Sequence, residues 1–308
     1  MKFKLIVIFI ILNVQMLLSD DIAPGLYGED LIEYLRDEYK TNTTLSYSGS
    51  REALYSEIDN VNNNVYGIYT NYSVYLPENN DEPIAHLYEN GMDCEHVWPQ
   101  SLYEGTNPMK SDMHHLRPSK SNVNSARGNK AFNNVIDSEV TTWYWLDYQS
   151  SNIPSSNLNE YSENHNTFFE PREDRKGDIA RSIFYFYTMY SENADDDFFL
   201  IQQDILKTWH EQDPSDEAEI NRSWNIAQYQ EDKPNPFVLD STLICRAYFS
   251  DCFMYGDINY DGILNILDVV ELVNIVLNDI DTIESSDVNQ DGITNILDII
   301  TLINIILS

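Results

Sequence analysis

The chain has 308 residues, with 18 Lys plus Arg against 51 Asp plus Glu, a formal net charge of -33, so charge as a whole cannot draw it to nucleic acid. With 42% apolar and 12% aromatic residues it holds material for one sizeable core and a small second one, which excludes wholesale disorder.

At the start of the chain, Lys2 and Lys4 precede the apolar run Leu5 to Leu12. Asn13 and Gln15 interrupt that run before the roughly 20 apolar residues a bilayer span requires. A signal peptide over residues 1–19 is expected, with export to an extracellular or periplasmic space and no membrane span. Three cysteines follow, Cys94, Cys245 and Cys252. Any one of three single disulfides is open, Cys245 to Cys252 closing the shortest loop.

Residues 20–250 form one expected domain of mixed composition, and residues 255–308 a second. From Gly256 to Ser308 there is no Lys or Arg but ten acidic residues. This tail contains a repeat at an offset of 30 residues. In each copy oxygen ligands fall at positions 1, 3, 5, 7, 9 and 12 of a loop with Gly at position 6, the spacing that wraps a hard cation. The candidate calcium ligands are Asp257, Asn259, Asp261, the carbonyl of Ile263, Asn265 and Asp268, then Asp287, Asn289, Asp291, the carbonyl of Ile293, Asn295 and Asp298. Each loop runs into an apolar stretch, Val269 to Leu277 and Ile299 to Leu307, and two packed helices are expected there. So small and acidic a module should depend on calcium for its fold.

In the larger domain, three of the six His fall within twenty residues, at 96, 114 and 115. Asp93-Cys94-Glu95-His96-Val97-Trp98-Pro99 predicts an extended segment stopped by Pro99. His114 to Arg117 predicts a second, stopped by Pro118, and residues 122–132 a helix capped by Ser119 or Ser121. Adjacent residues of a strand point to opposite faces, so Glu95 and His96 can share a site only at an irregular strand end. Phosphodiester hydrolysis needs a base for water and a cation to offset phosphate charge. Neutral His96 and Glu95 are residue types that supply both.

Glu95-His96-Val97-Trp98-Pro99-Gln100-Ser101, Ser111-Asp112-Met113-His114-His115-Leu116-Arg117-Pro118-Ser119 and Val123-Asn124-Ser125-Ala126-Arg127-Gly128-Asn129 together resemble the bacterial endonuclease I family. The resemblance continues through Phe169-Glu170-Pro171 and Lys176-Gly177-Asp178 to Asn235-Pro236-Phe237-Val238. It implies an α+β domain built on a ββα-metal, or His-Me, finger. His96 then matches the general base, and Glu95 and Asn124 match the two ligands of a Mg²⁺ ion. Arg127, one turn beyond Asn124, is the candidate phosphate holder, and His114 or Asp112 the candidate orienter of His96. The implied reaction is nonspecific endonucleolytic cleavage of DNA, with RNA left open, to 5′-phosphate ends. Asp at position 12 and the missing first entering helix make the tail resemble a type I dockerin. That implies two Ca²⁺ ions, a mostly α module and a cohesin-like or cell-surface partner. Ile266-Leu267 and Ile296-Leu297 stand where cellulosomal relatives usually carry small polar recognition residues.

The charge objection has a local answer. Lys110, Arg117, Lys120, Arg127 and Lys130 occupy twenty-one residues in which Asp112 is the only acid, a net charge of +4; Arg117, Lys120 and Lys130 are candidate substrate-binding residues. Arg172, Arg175, Lys176 and Arg181 interleave with acids and are expected to form ion pairs. Two readings from different classes follow: a secreted nuclease with an attachment tail, or an inactive attachment protein acting through the calcium module.

Overall fold

The computed structural model describes residues 22–308 except 253, 261 and 279–281. The signal segment and the candidate ligand Asp261 lie outside the described residues. The chain opens with α1 (Gly28–Tyr39) and α2 (Tyr47–Ala53). A three-stranded antiparallel sheet follows, β1 (Asn60–Val61), β2 (Asn64–Tyr66) and β3 (Ser73–Tyr75), then α3 (Pro83–Glu89). Next come β4 (Met92–His96), β5 (Leu116–Lys120) and α4 (Ser121–Arg127). β4 and β5 pair antiparallel, Cys94 opposite Pro118, Glu95 opposite Arg117 and His96 opposite Leu116, and α4 packs back on the ribbon.

Three local details differ from the sequence expectation. Residues 113–115 form a 3₁₀ turn rather than extended chain, and the second strand runs through Pro118 rather than stopping there. The Pro118 carbonyl accepts from Ile68 N on the side away from β4, so the N–H that proline lacks falls on that outer side and no ladder bond to β4 is lost. The helix begins at Ser121 without a side-chain cap and ends at Arg127 rather than near residue 132, because Gly128 takes φ +55°, a conformation open to glycine.

A five-stranded sheet follows, in the order β6-β10-β9-β7-β8. Its strands are β6 (Ala131–Phe132), β7 (Thr142–Trp145), β8 (Tyr148–Ser150), β9 (Ser162–Asn164) and β10 (Phe168–Glu170), with only β6 and β10 parallel. The helical remainder comprises α5 (Lys176–Tyr190), α6 (Asp196–Leu200), α7 (Gln203–Gln212), α8 (Glu217–Ala227), α9 (Pro236–Leu239) and α10 (Leu243–Tyr248). α5 is buried on nearly every face, and Ile179, Ile183, Phe184 and Met189 form the main core with Trp98, Phe132, Phe169 and Trp209; a helix apolar all round belongs in a core. A second core of Leu54, Tyr55, Met92, Cys94 and Leu116 lies on the other side of the ribbon. The ribbon end is therefore clamped between two packed layers, which fixes its side chains.

The expected ion pairs of the second basic cluster form: Arg172 with Glu160 and Asp174, Arg175 with Asp178, Lys176 with Glu170 and Glu173, and Arg181 with Glu219. Of the three possible disulfides, Cys245 to Cys252 is the one present, and Cys94 is a buried free thiol. In the tail, α11 (Ile266–Asn278) and α12 (Ile296–Leu307) pack around Val269, Leu272 and Leu302, both starting three residues before the expected apolar stretches. Tyr260 reaches back to the larger domain, its ring 5.7 Å from that of Tyr27. Among the described residues no helix is long and apolar enough to cross a membrane.

Candidate active site

β4 ends at His96, three residues before Pro99. Its register is regular to that last residue, so there is no bulge, and it is the early strand end at His96 that meets the condition for a shared site. Their side chains have no partner in common. Glu95, 2% exposed, accepts from Tyr69 Oη at 2.6 Å and faces Arg127 Nη1 at 3.1 Å, both through Oε1. Among the described residues nothing hydrogen-bonds its Oε2. Burial raises the Glu95 carboxyl above its usual range, and Arg127 and Tyr69 partly offset that.

His96 is 6% exposed. Its Nε2 is 3.1 Å from the Lys110 carbonyl. A carbonyl can only accept, so Nε2 carries the proton and Nδ1 presents a lone pair. Gln100 Nε2 donates to that lone pair at 3.0 Å. Burial first, then the neighbouring His115, lower the imidazole to about 3, so the ring is neutral near pH 7. The Tyr47 ring lies 5.3 Å from it, and over Tyr47 sit the Arg51 guanidinium at 4.3 Å and Lys110 Nζ at 5.2 Å. Two half-buried cations thus stand beside the histidine.

α4 closes the other side of the strand end. Asn124 Nδ2 donates to the Cys94 carbonyl at 3.3 Å, which leaves its Oδ1 uncommitted. One turn on, Arg127 Nη1 donates to the His96 carbonyl at 3.1 Å and Nη2 to the Val97 carbonyl at 2.6 Å. Arg127 is 1% exposed, and its Nη1 and Nη2 are engaged inside the protein, where they brace the strand end.

The other candidate residues also sit against partners within the protein. His114 donates through Nε2 to the Lys233 carbonyl, with its ring against Tyr185. Asp112 accepts from Tyr185, Tyr190, Gln230 and the His114 N–H. Neither touches His96, which the Lys110 carbonyl and Gln100 orient. Arg117 is buried among Asp178, Glu219 and Arg222, at the wall of a separate cavity that Asp59, Tyr66 and Asp216 also line. Lys120 pairs with Asp147, and Lys130 donates to the Ala126 carbonyl and to Asn164. Tyr47, Arg51, Tyr69 and Gln100 escaped the sequence reading, because the first three come from elements distant in the chain.

Two stretches of the chain match known families. Residues 28–242 match the family model described as Endonuclease I, and residues 255–307 that of the Dockerin type I domain. The chain belongs to the Endonuclease I family. Within Endonuclease I, an extracellular ribonuclease of Bacillus subtilis (strain 168) is 30% identical over 235 residues, 70% of this chain and 73% of that relative. An extracellular ribonuclease of Bacillus amyloliquefaciens is 31% identical over 235 residues, with the same coverage. This Endonuclease I protein is a nuclease, a hydrolase of phosphodiester bonds, with an α+β catalytic domain and a dockerin type I tail.

The family's divalent ion can be tested against the residues present. Glu95 Oε2 and Asn124 Oδ1 are oxygens left over after every other polar atom of those side chains has a partner. A carboxylate and an amide oxygen suit Mg²⁺, which keeps several waters. Among the described residues no group of three or more His, Cys, Asp or Glu gathers elsewhere as a metal cage. In the tail, Asp287 accepts from Asp291 N and Gly292 N, and Asp298 from Asn289 N and Asn295 N. These bonds close the second loop, and Gly262 and Gly292 take positive φ at the turn of each copy. That donor set fits Ca²⁺.

Proposed function

We propose that the protein is a secreted, divalent-metal-dependent, nonspecific endonuclease that cleaves internal phosphodiesters of DNA and RNA. RNA enters because the Bacillus relatives are named extracellular ribonucleases, and their secretion supports the same for this chain. In this reading β4, β5 and α4 are a ββα-metal finger. The observation that carries it is the state of His96: neutral, its tautomer fixed by the Lys110 carbonyl, its Nδ1 lone pair met by the half-buried Gln100 amide.

His96 Nδ1 takes a proton from water once the Gln100 amide swings aside. The water oxygen then bonds to phosphorus, and the bond to the 3′ oxygen breaks, leaving a 5′-phosphate. The leaving oxygen is protonated from solvent. Glu95 and Asn124 would hold Mg²⁺, which offsets the negative charge that builds up on the phosphate. Arg127 and Tyr69 hold Glu95 in place. Arg51 and Lys110, beside His96 on the Tyr47 ring, bind the phosphate of the strand.

The division into a nuclease unit, residues 20–250, and a tail, 255–308, is part of the same proposal. The tail binds two Ca²⁺ ions and attaches the enzyme to a cohesin-type or surface partner. Ile266 and Ile296 are 65% and 63% exposed at equivalent places of the repeat, which supports a partner with an apolar face. Incubation of the mature chain with plasmid and with single-stranded RNA in Mg²⁺, in Ca²⁺ alone and in chelator tests the function. Nicking and then linearisation of plasmid, and cleavage of RNA, are expected with Mg²⁺ only. Intact substrates under every metal would remove the proposal.

A further inference from the structure

At the β7–β8 hairpin lies a cavity of about 690 Å³, in the size range of small-ligand sites. Its walls include Trp145, Tyr148 and Tyr161, with Ser150, Asn152 and Ser155 as polar groups. Trp145 and Tyr148 face each other across the β7–β8 hairpin, and so stand on one side of it. Tyr148 is 58% exposed, a large ring left open to solvent. The Trp145 and Tyr161 rings are 5.4 Å apart. The one charged residue in the wall, Asp147, is ion-paired with Lys120. Such a wall offers flat π faces and neutral hydrogen-bonding groups, and no cation for a phosphate.

The position of this hairpin is as informative as its chemistry. Leu146 N donates to the Thr70 carbonyl at 2.7 Å, and Ser162 Oγ to the Tyr69 carbonyl at 2.6 Å. The Tyr69 hydroxyl in turn holds Glu95. On the other side, Asp147 pairs with Lys120 and Gln149 accepts from Asn122, at the start of the helix that carries Asn124. The cavity is therefore anchored both to the support of Glu95 and to α4.

We propose that this cavity is a subsite for an unpaired nucleobase next to the cleaved phosphodiester, an inference that rests on the nuclease reading above. Bases in a duplex are already stacked, so the occupant comes from a single strand or a melted end. Stacking on aromatic rings tolerates any base, while Ser150, Asn152 and Ser155 can meet the base edge. Two exposed-to-half-buried rings at the site would make single-stranded nucleic acid the better substrate.

The test measures binding of single-stranded oligodeoxyadenylate and oligoriboadenylate, and of a blunt DNA duplex, to the full chain carrying His96→Ala, with plasmid cleavage by the wild-type chain alongside. Trp145→Ala and Tyr148→Ala are each expected to weaken single-strand binding about tenfold and duplex binding far less. Tyr148→Phe, which keeps the ring, should restore it, and an unchanged melting temperature shows that the variants fold. A loss confined to one sugar assigns the source as DNA or RNA. Wild-type cleavage together with unchanged single-strand binding by both alanine variants would overturn the subsite alone. Absence of both cleavage and binding in the wild-type chain would overturn the nuclease reading and the subsite with it.

Discussion

Arg127 Nη1 lies 3.1 Å from Glu95 Oε1, and the same nitrogen donates to the His96 carbonyl at 3.1 Å. One buried guanidinium thus ties the carboxylate to the backbone of the histidine beside it. Removing one partner of a buried ion pair costs about 3–5 kcal/mol, so Arg127→Ala should show a melting temperature lowered by several degrees. At temperatures where it remains folded, its kcat should fall while KM and the salt dependence of binding change little. A phosphate-holding arginine would instead raise KM and flatten the salt slope.

Arg51 and Lys110 carry the opposite expectation. Both cations stand over Tyr47, next to His96. Neutralising either, as Arg51→Gln or Lys110→Gln, should weaken binding of all sequences alike and reduce the slope of log K against log salt by about 1. Titration of substrate affinity across salt concentrations checks this.

Buried neutral histidines set the acid limit of the fold. Burial holds His114 and His210 down at about 4, against 6.5 when exposed. In the unfolded chain both gain protons as pH falls below about 6.5, while in the folded chain they stay neutral until about 4. Stability should therefore decline between those values, and urea midpoints at a series of pH values should show it. Replacing His114 with Asn should flatten the decline.

Glu163 acts at the other end of the range. Burial first, then Glu170, raise its carboxyl to about 8, and its Oε2 is buried without a hydrogen-bond partner. The unfolded chain ionises this group from about 4.5 upward while the folded chain resists, so stability is lost as pH rises toward 8. Glu163→Gln should raise the melting temperature at pH 8 by about 2–4 °C for each kcal/mol recovered, with little change at pH 4.

Chelation should separate the two modules. Without calcium, the carboxylates of Asp257 and Asp268 in one loop, and of Asp287 and Asp298 in the other, have no cation to offset their charge. Chelator should abolish the α11 and α12 contribution to far-ultraviolet circular dichroism, and calcium should restore it. Asp268→Ala and Asp298→Ala together should remove the calcium response while Mg²⁺-dependent cleavage persists.

Much of this was legible in the sequence because it is local. The tail repeat marks its candidate ligands by spacing alone, and β4, β5 and α4 are contiguous enough for strand and helix signals to place them within a few residues. The five-stranded sheet was not legible: its strands have two to four residues, too short for an alternating pattern, and β6 pairs with β10 across a long separation. The surroundings of His96 were hidden for a similar reason. Tyr47 and Arg51 arrive from α2, some fifty residues earlier, through packing that no spacing encodes. The burial of Arg117 and Arg127 was not legible either, because charged residues are usually exposed, whereas here both are buried.

The most direct measurement is the single-turnover rate of plasmid cleavage in Mg²⁺ by His96→Ala compared with His114→Ala. General-base catalysis contributes about 10²–10⁴-fold, so His96→Ala should lose at least that range's lower bound while folding normally. His114→Ala should keep a rate near wild type at temperatures where it is folded. A wild-type rate from His96→Ala would contradict the assignment of the base and, with it, the mechanism.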